Sequence, residues 1–310
     1  MKLIFFGSDD FAAVNLNGLL AAGFEVVACV TQPDRPQGRG LKVLSSPVKE
    51  IALKHRIPLL QQENLKDSVF FDDLKAFDSD LFVVIAYGKI LPAEVLQIPR
   101  LFAVNVHGSL LPRYRGAAPI NWAIINGDAE TGISIIRMNT KMDAGEIIAQ
   151  EKIPIRDDDT SITLRAKMAD LSSRCLCRAI PLLEKGTLAF TRQDEQSVTF
   201  APKLSRELGQ IDWQKPAAQI HNLVRGMLSW SAAYTFYKKK MLKLLETSVV
   251  AAGPPAQPGE VVTISKEGIS VATGSGHLLV KTVHPESGKP MSAQNFAAGH
   301  QLKAGDRFEV

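Results

Sequence analysis

The chain has 310 residues, 45% apolar and 22% charged, with a formal net charge of +4. That length accommodates about two domains at ~100–200 residues each, with cores that need no disulfide or metal staple. Three cysteines, two of them one residue apart at Cys175 and Cys177, argue against a secreted disulfide framework and a structural zinc site. No apolar run approaches the ~18–20 residues of a membrane span, so a metal-free cytoplasmic protein is expected.

Residues 3–6 are an apolar run ended by Gly7 and predict a first strand. Ser8 is the expected cap of a helix carrying Phe11, Val14, Leu16, Leu19 and Leu20, closed at Gly23. Residues 26–30 predict a second strand. The stretch 32–46 that follows is broken by Pro33, Pro36, Gly38 and Gly40. It sets Arg35, Arg39 and Lys42 against the acid Asp34, and reads as an exposed basic loop that can meet a phosphate backbone. Residues 81–86 and 102–106 have the continuous apolar character of strands buried on both faces, and 133–138 is again β-like. Strands separated by helical stretches imply βαβ units and a mainly parallel, Rossmann-like sheet. Ligand sites of such sheets lie beyond the carboxyl ends of the strands. Gly7-Ser8, Thr31-Gln32, Tyr87-Gly88 and His107-Gly108 stand there. A long helix over 160–184 closes this α/β domain, expected to span 1–188, and 189–204 reads as a linker.

Residues 205–310 differ in texture. A helix is predicted over 211–227, then short strands over 234–237, 241–245, 259–264, 268–272 and 277–283 with Pro and Gly between them. That pattern predicts a small OB-like β-barrel, with a sandwich as the alternative. Charge divides the same way. Through Leu204 there are 24 basic and 24 acidic residues; beyond it there are 12 and 8. Lys238, Lys239 and Lys240 concentrate the excess, as a lysine-protected strand edge or as a surface for polyanions. Trp122, Trp213 and Trp230 are read as packing residues.

A dinucleotide site is excluded by three features. There is no G-x-G-x-x-G, the second strand ends at Thr31 rather than an acid, and Asp9 and Asp10 would repel a pyrophosphate. The chemistry concentrates instead in Asn105-Val106-His107-Gly108-Ser109-Leu110-Leu111-Pro112. Asn105 and His107 are two apart at a strand end and share a face. Asp143 lies in a tight turn after the 133–138 strand. A carboxamide can stabilise an oxyanion, an imidazole can relay protons, and a carboxylate can orient the imidazole: these are the parts of acyl transfer without a covalent intermediate. Leu110, Leu111 and Pro112 form an apolar wall with Ser109 at its tip, suited to a flat heteroaromatic ligand.

These residues, with Arg115-Gly116 and Met142-Asp143-Ala144-Gly145, resemble the signature of the folate-dependent formyltransferases. The likeness to members acting on methionyl-tRNA extends through 31–49, Ala86-Tyr87-Gly88, 116–120, Ile211-Asp212-Trp213 and 291–294, essentially the whole chain. It implies 10-formyltetrahydrofolate as donor and the α-amino group of methionine on initiator tRNA as acceptor. Asn105 would hold the formyl oxygen, His107 the amine proton, and Asp143 would position His107 and a water. Tyr87, Ser109, Leu110, Leu111 and Pro112 would border the folate. By the same resemblance the loop residues Arg35, Arg39 and Lys42 would contact the tRNA, Arg39 foremost; the charge split adds Lys238–Lys240, and a monomer is expected. Two stretches depart from the family pattern: Ser8-Asp9 replaces the usual Thr and Pro, and Leu228-Ser229-Trp230-Ser231-Ala232 lacks prolines. The rivals are a formyltransferase acting on a small amine, which needs no basic loop, and a non-catalytic tRNA-binding module, which needs no His107.

Overall fold

The computed structural model describes residues 1–37, 42–250 and 253–309. They form two compact units. One comprises Met1–Pro119, Thr131–Ile153 and Arg165–Ala201; the other Ile120–Glu130, Pro154–Leu164 and Pro202–Val310. The second unit therefore draws on two short excursions from the middle of the chain as well as on the last third.

In the first unit, β1 (Lys2–Gly7), β2 (Glu25–Val30), the short pair β3 (Arg35–Gln37) and β4 (Lys42–Leu44), β5 (Leu59–Leu60), β6 (Leu81–Ile85), β7 (Phe102–His107), β8 (Arg115–Gly116), β9 (Glu130–Arg137) and β10 (Ile147–Pro154) follow in order. The main sheet runs β10-β9-β7-β6-β1-β2-β5. Neighbours from β7 to β5 are parallel and β9 is antiparallel to β7. Leu3–Phe6 and residues 81–85 are buried throughout, as their unbroken apolar runs require of strands covered on both faces. Strand order reverses between β1 and β6, so the crevice expected of such sheets opens at Gly7-Ser8 and Ala86-Tyr87.

Helix α1 (Asp10–Ala21) is capped by Asp9, whose side chain accepts from the Ala12 amide, and not by Ser8. The Ser8 hydroxyl is occupied elsewhere: it accepts the Gln32 N–H at 3.1 Å and the Thr31 hydroxyl at 3.2 Å, tying the tips of β1 and β2 together. The expected basic loop holds the antiparallel pair β3–β4. At its base, Lys49 and Gln61 donate to the Asp34 carboxylate, and the Lys49 bond holds that carboxyl below its usual range. Residues 189–201, expected as linker, run on the first unit. Phe190 meets Phe102 edge-on at 5.6 Å, Thr191 bridges Ile147, and β11 (Phe200–Ala201) pairs with β8.

The second unit holds β12 (Ala233–Tyr237), β13 (Lys240–Val250), β14 (Val261–Ser265), β15 (Gly268–Ala272), β16 (His277–Pro285) and β17 (Met291–Ser292). They form one antiparallel sheet in the order β12-β13-β16-β15-β14, with β17 on β16. The helix expected over 211–227 is shorter, Ala217–Met227, because Pro216 sets its start and Ile211 instead bonds to Tyr234. Both outer strands bond to one C-terminal segment. The Glu309 amide donates to Phe236 (2.8 Å), Phe308 to Gly259 (2.8 Å), and Val261 to Asp306 (2.8 Å). The two edges of the sheet are thus joined through residues 306–309, an arrangement compatible with the expected barrel. Phe308 stacks on Trp213 at 5.8 Å, and the Trp213 N–H bonds to Thr235. Of the three tryptophans read as packing, Trp213 is buried, Trp122 gives its N–H to the Pro202 carbonyl, and Trp230 is 55% exposed. No helix among the described residues is long and apolar enough to cross a membrane.

Phe308→Ala removes a fully buried ring from the closing segment and should cost about 3–5 kcal/mol. Urea unfolding followed by tryptophan fluorescence should show a lowered midpoint; an unchanged midpoint contradicts the closing role of this segment.

Candidate active site

Alternation along β7 places Asn105 and His107 on one face, between β6 and β9, with Asn105 opposite Ile136 and His107 opposite Ser134. His107 is buried, and its Nε2 lies 2.8 Å from the Tyr114 carbonyl oxygen. A carbonyl only accepts, so Nε2 carries a hydrogen and Nδ1 is the ring atom left to exchange a proton. Nδ1 stands 3.6 Å from Asp143 Oδ1, and the Asn105 amide nitrogen lies 3.5 Å from the same oxygen. Two side chains of β7 thus meet one oxygen of a residue up to 38 positions away along the chain. Both distances exceed an ordinary hydrogen bond.

Asp143 is held from several sides. Its Oδ2 accepts the Gly116 N–H at 2.9 Å, and its backbone has φ +51°, a left-handed conformation uncommon outside glycine. The Gln193 amide donates to the carbonyls of Asp143 (2.7 Å) and Gly145 (2.8 Å). Gly145 admits no side chain, since a Cβ there would lie 1.7 Å from the Arg137 carbonyl oxygen. Buried Arg115 donates to Gln193 Oε1 at 3.0 and 2.9 Å and to Glu195 at 2.9 and 3.3 Å; its hydrogen bond holds the Glu195 carboxyl below the usual range.

The turn at Ser109–Pro112 is fixed by residues not singled out in the sequence. The Ser134 hydroxyl donates to the Ser109 carbonyl (2.6 Å) and accepts the Leu111 N–H (3.0 Å), and Gln150 donates to the Leu111 carbonyl (2.9 Å). Ser109 is fully buried, its hydroxyl on the Arg113 carbonyl. Leu111 is buried too, which leaves Leu110 and Pro112, both half-buried, as apolar surface.

The family model described as formyl transferase matches residues 1–180, and that described as formyl transferase, C-terminal domain, matches residues 203–301. The chain belongs to the formyl transferase family. A methionyl-tRNA formyltransferase from Caldanaerobacter subterraneus subsp. tengcongensis is 42% identical over 306 residues, covering 98% of this chain and 99% of that protein. Among solved structures, HypX from Aquifex aeolicus in complex with tetrahydrofolic acid matches with a TM-score of 0.67 at 17% identity. The match covers 99% of this chain and 48% of HypX, so this chain spans about half the length of that protein. An N-formyltransferase from Helicobacter canadensis, in complex with folinic acid and dTDP-3-aminofucose, matches with a TM-score of 0.68 at 17% identity over 90% of this chain and 98% of its own. These two likenesses concern the fold.

In this formyl transferase the other residues expected at the site are distributed as follows. The Tyr87 ring is buried. It packs in the core edge-on to Phe6 at 5.6 Å, its hydroxyl has no partner in the structure, and burial pushes its pKa up to about 12. Only the backbone of Tyr87 serves the strand end, its carbonyl accepting from Gln32 at 2.9 Å. Arg35 is exposed at the start of β3; Arg39 and the side chain of Lys42 lie outside the described residues. Lys238 and Lys239 form the tip of the β12–β13 hairpin at φ +50° and +62°, and Lys240 follows; all three are exposed. Among the described residues no group of three or more His, Cys, Asp or Glu could hold a metal ion.

Tyr87→Phe deletes a buried hydroxyl without a partner, which ordinarily costs ~1–3 kcal/mol to keep. Thermal unfolding should show equal or greater stability, and formyl transfer should be unchanged. A loss of turnover would put the hydroxyl in contact with a substrate.

Proposed function

We infer that this chain transfers the formyl group of 10-formyltetrahydrofolate to the α-amino group of methionyl initiator tRNA, acting in the cytoplasm as a monomer. The observation that carries this reading is the meeting of Asn105 and His107 at one oxygen of Asp143, in a chain 42% identical along nearly its whole length to a methionyl-tRNA formyltransferase.

In this reading the neutral amine attacks the formyl carbon. As the new C–N bond forms, the amine proton passes to His107 Nδ1, directly or through a water. The Nε2 hydrogen stays on the ring, donated to the Tyr114 carbonyl, and the Asp143 carboxylate stabilises the imidazolium. The Asn105 amide has two hydrogens. One faces Asp143 and the other is free for the formyl oxygen as it gains charge. Collapse breaks the bond from the formyl carbon to N10 of the folate, and the departing nitrogen takes back a proton that His107 can return. Leu110 and Pro112 supply the apolar surface against which the flat pterin would lie, on a turn made rigid by Ser134 and Gln150. The basic excess beyond Leu204, with Lys238–Lys240 at an exposed hairpin tip, and the basic stretch 32–46 suit a polyanionic acceptor.

Asn105→Ala should lower turnover by ~10²–10³ with unchanged folding; a small loss removes Asn105 from the oxyanion role. Transfer to methionyl-tRNA should also weaken steeply as salt rises, with a log–log slope of roughly −0.7 to −0.9 per phosphate contact. A salt-insensitive rate, or equal transfer to a small amino sugar, contradicts the assigned acceptor.

A further inference from the structure

We propose that Gln193 is a positioning residue for formyl transfer, holding Asp143 in its left-handed backbone so that the carboxylate faces His107 and Asn105. The proposal rests on the reading of Asp143 given above. Its basis is the full use of one side-chain amide. The Gln193 nitrogen has two hydrogens, and the carbonyls of Asp143 and Gly145, on either side of Ala144, take them at 2.7 and 2.8 Å. The Gln193 oxygen receives two N–H groups from Arg115 at 3.0 and 2.9 Å. A guanidinium has no acceptor, so the amide cannot turn end for end, and its donating end is committed to the Asp143 turn.

The same short segment grips Asp143 twice. Gly116, next to Arg115, donates its N–H to Asp143 Oδ2 at 2.9 Å, while Arg115 acts through Gln193 on the Asp143 backbone. Pairing of β8 with β11, with Arg115 opposite Phe200 and Gly116 opposite Ala201, brings residues 193–201 alongside the site. Left to itself, a non-glycine residue at φ +51° relaxes toward right-handed backbone. Such relaxation would swing the carboxylate away from contacts that are already long, 3.5 and 3.6 Å. Gln193 touches neither the apolar turn at Ser109–Pro112 nor the basic surfaces in the contacts described, so its effect should fall on the chemical step.

The informative variant is Gln193→Glu, which still accepts from Arg115 but donates nothing to the two carbonyls. With the full-length enzyme, kcat should fall about 10–100-fold, as expected for sub-ångström misplacement of a catalytic group. KM for both substrates should stay within about twofold, because uniform binding is untouched. The thermal midpoint should fall by only a few degrees, as two hydrogen bonds are lost. In an Asp143→Asn background the same substitution should add almost nothing, since Gln193 acts only through Asp143. Full activity of Gln193→Glu alongside a crippled Asp143→Asn overturns the proposal and leaves the reading of Asp143 intact. Full activity of Asp143→Asn overturns that reading itself. Losses that multiply in the double variant, or that come with a raised KM and a larger fall in the midpoint, make Gln193 merely structural. Should Gln193→Glu not fold, Gln193→Met keeps the volume, removes both hydrogen-bonding ends and is judged by the same outcomes.

Discussion

One carboxylate oxygen, Oδ1 of Asp143, is the point toward which an imidazole and a carboxamide are both directed. A carboxylate that is mostly buried needs fixed donors, because burial removes the water that would otherwise hydrogen-bond it. Here the donors are backbone and side-chain amides: Gly116 on the other carboxylate oxygen and Gln193 on the carbonyls around it. The left-handed backbone at Asp143 is conformationally unfavourable and persists because its surroundings over-determine it, as is common where a side chain must be aimed.

The sheet supplies the rest of the aim. β7 is paired on both sides, so Asn105 and His107 cannot rotate as a unit, and Tyr114 fixes which ring nitrogen of His107 is free. Ser134, opposite His107 on β9, turns the same strand pairing into a lock on the 109–111 turn. In the proposed reading, proton handling and the apolar wall are thereby supported by adjacent strands of one rigid element, the arrangement that keeps reacting groups within a fraction of an ångström.

Much of this was legible in the residues themselves. β1, β6 and β7 are continuous apolar runs, and that pattern belongs to few structures besides a strand covered on both faces. Asn105 and His107 announce themselves by a spacing of two at a strand end, and Asp143 by its place in a turn after the next strand. What failed to show was long-range. β10 carries Gln150, Glu151 and Lys152 in succession, which breaks the apolar pattern by which the other strands are read. Gln193 sits in a polar stretch whose composition suits a linker, and only the pairing of β11 with β8 reveals its destination. Ser8 has the chemistry of a helix cap, but its hydroxyl is drawn to the tip of β2, and Asp9 takes the cap. Tyr87 stands at the right strand end with its ring turned into the core. In the last third, strand count followed from apolar alternation, whereas the joining of the sheet's edges depends on a few residues near the C-terminus that have no periodicity to read.

The central claim is that His107 and Asp143 form one functional unit and not two neighbouring contributors. Single-turnover formyl transfer by His107→Ala, Asp143→Asn and the double variant measures this directly. Residues acting as a unit are strongly non-additive, so the double variant should be no slower than the slower single one, to within about threefold. A double variant slowed by the product of the two single losses would mean that the groups act independently, and would contradict the account.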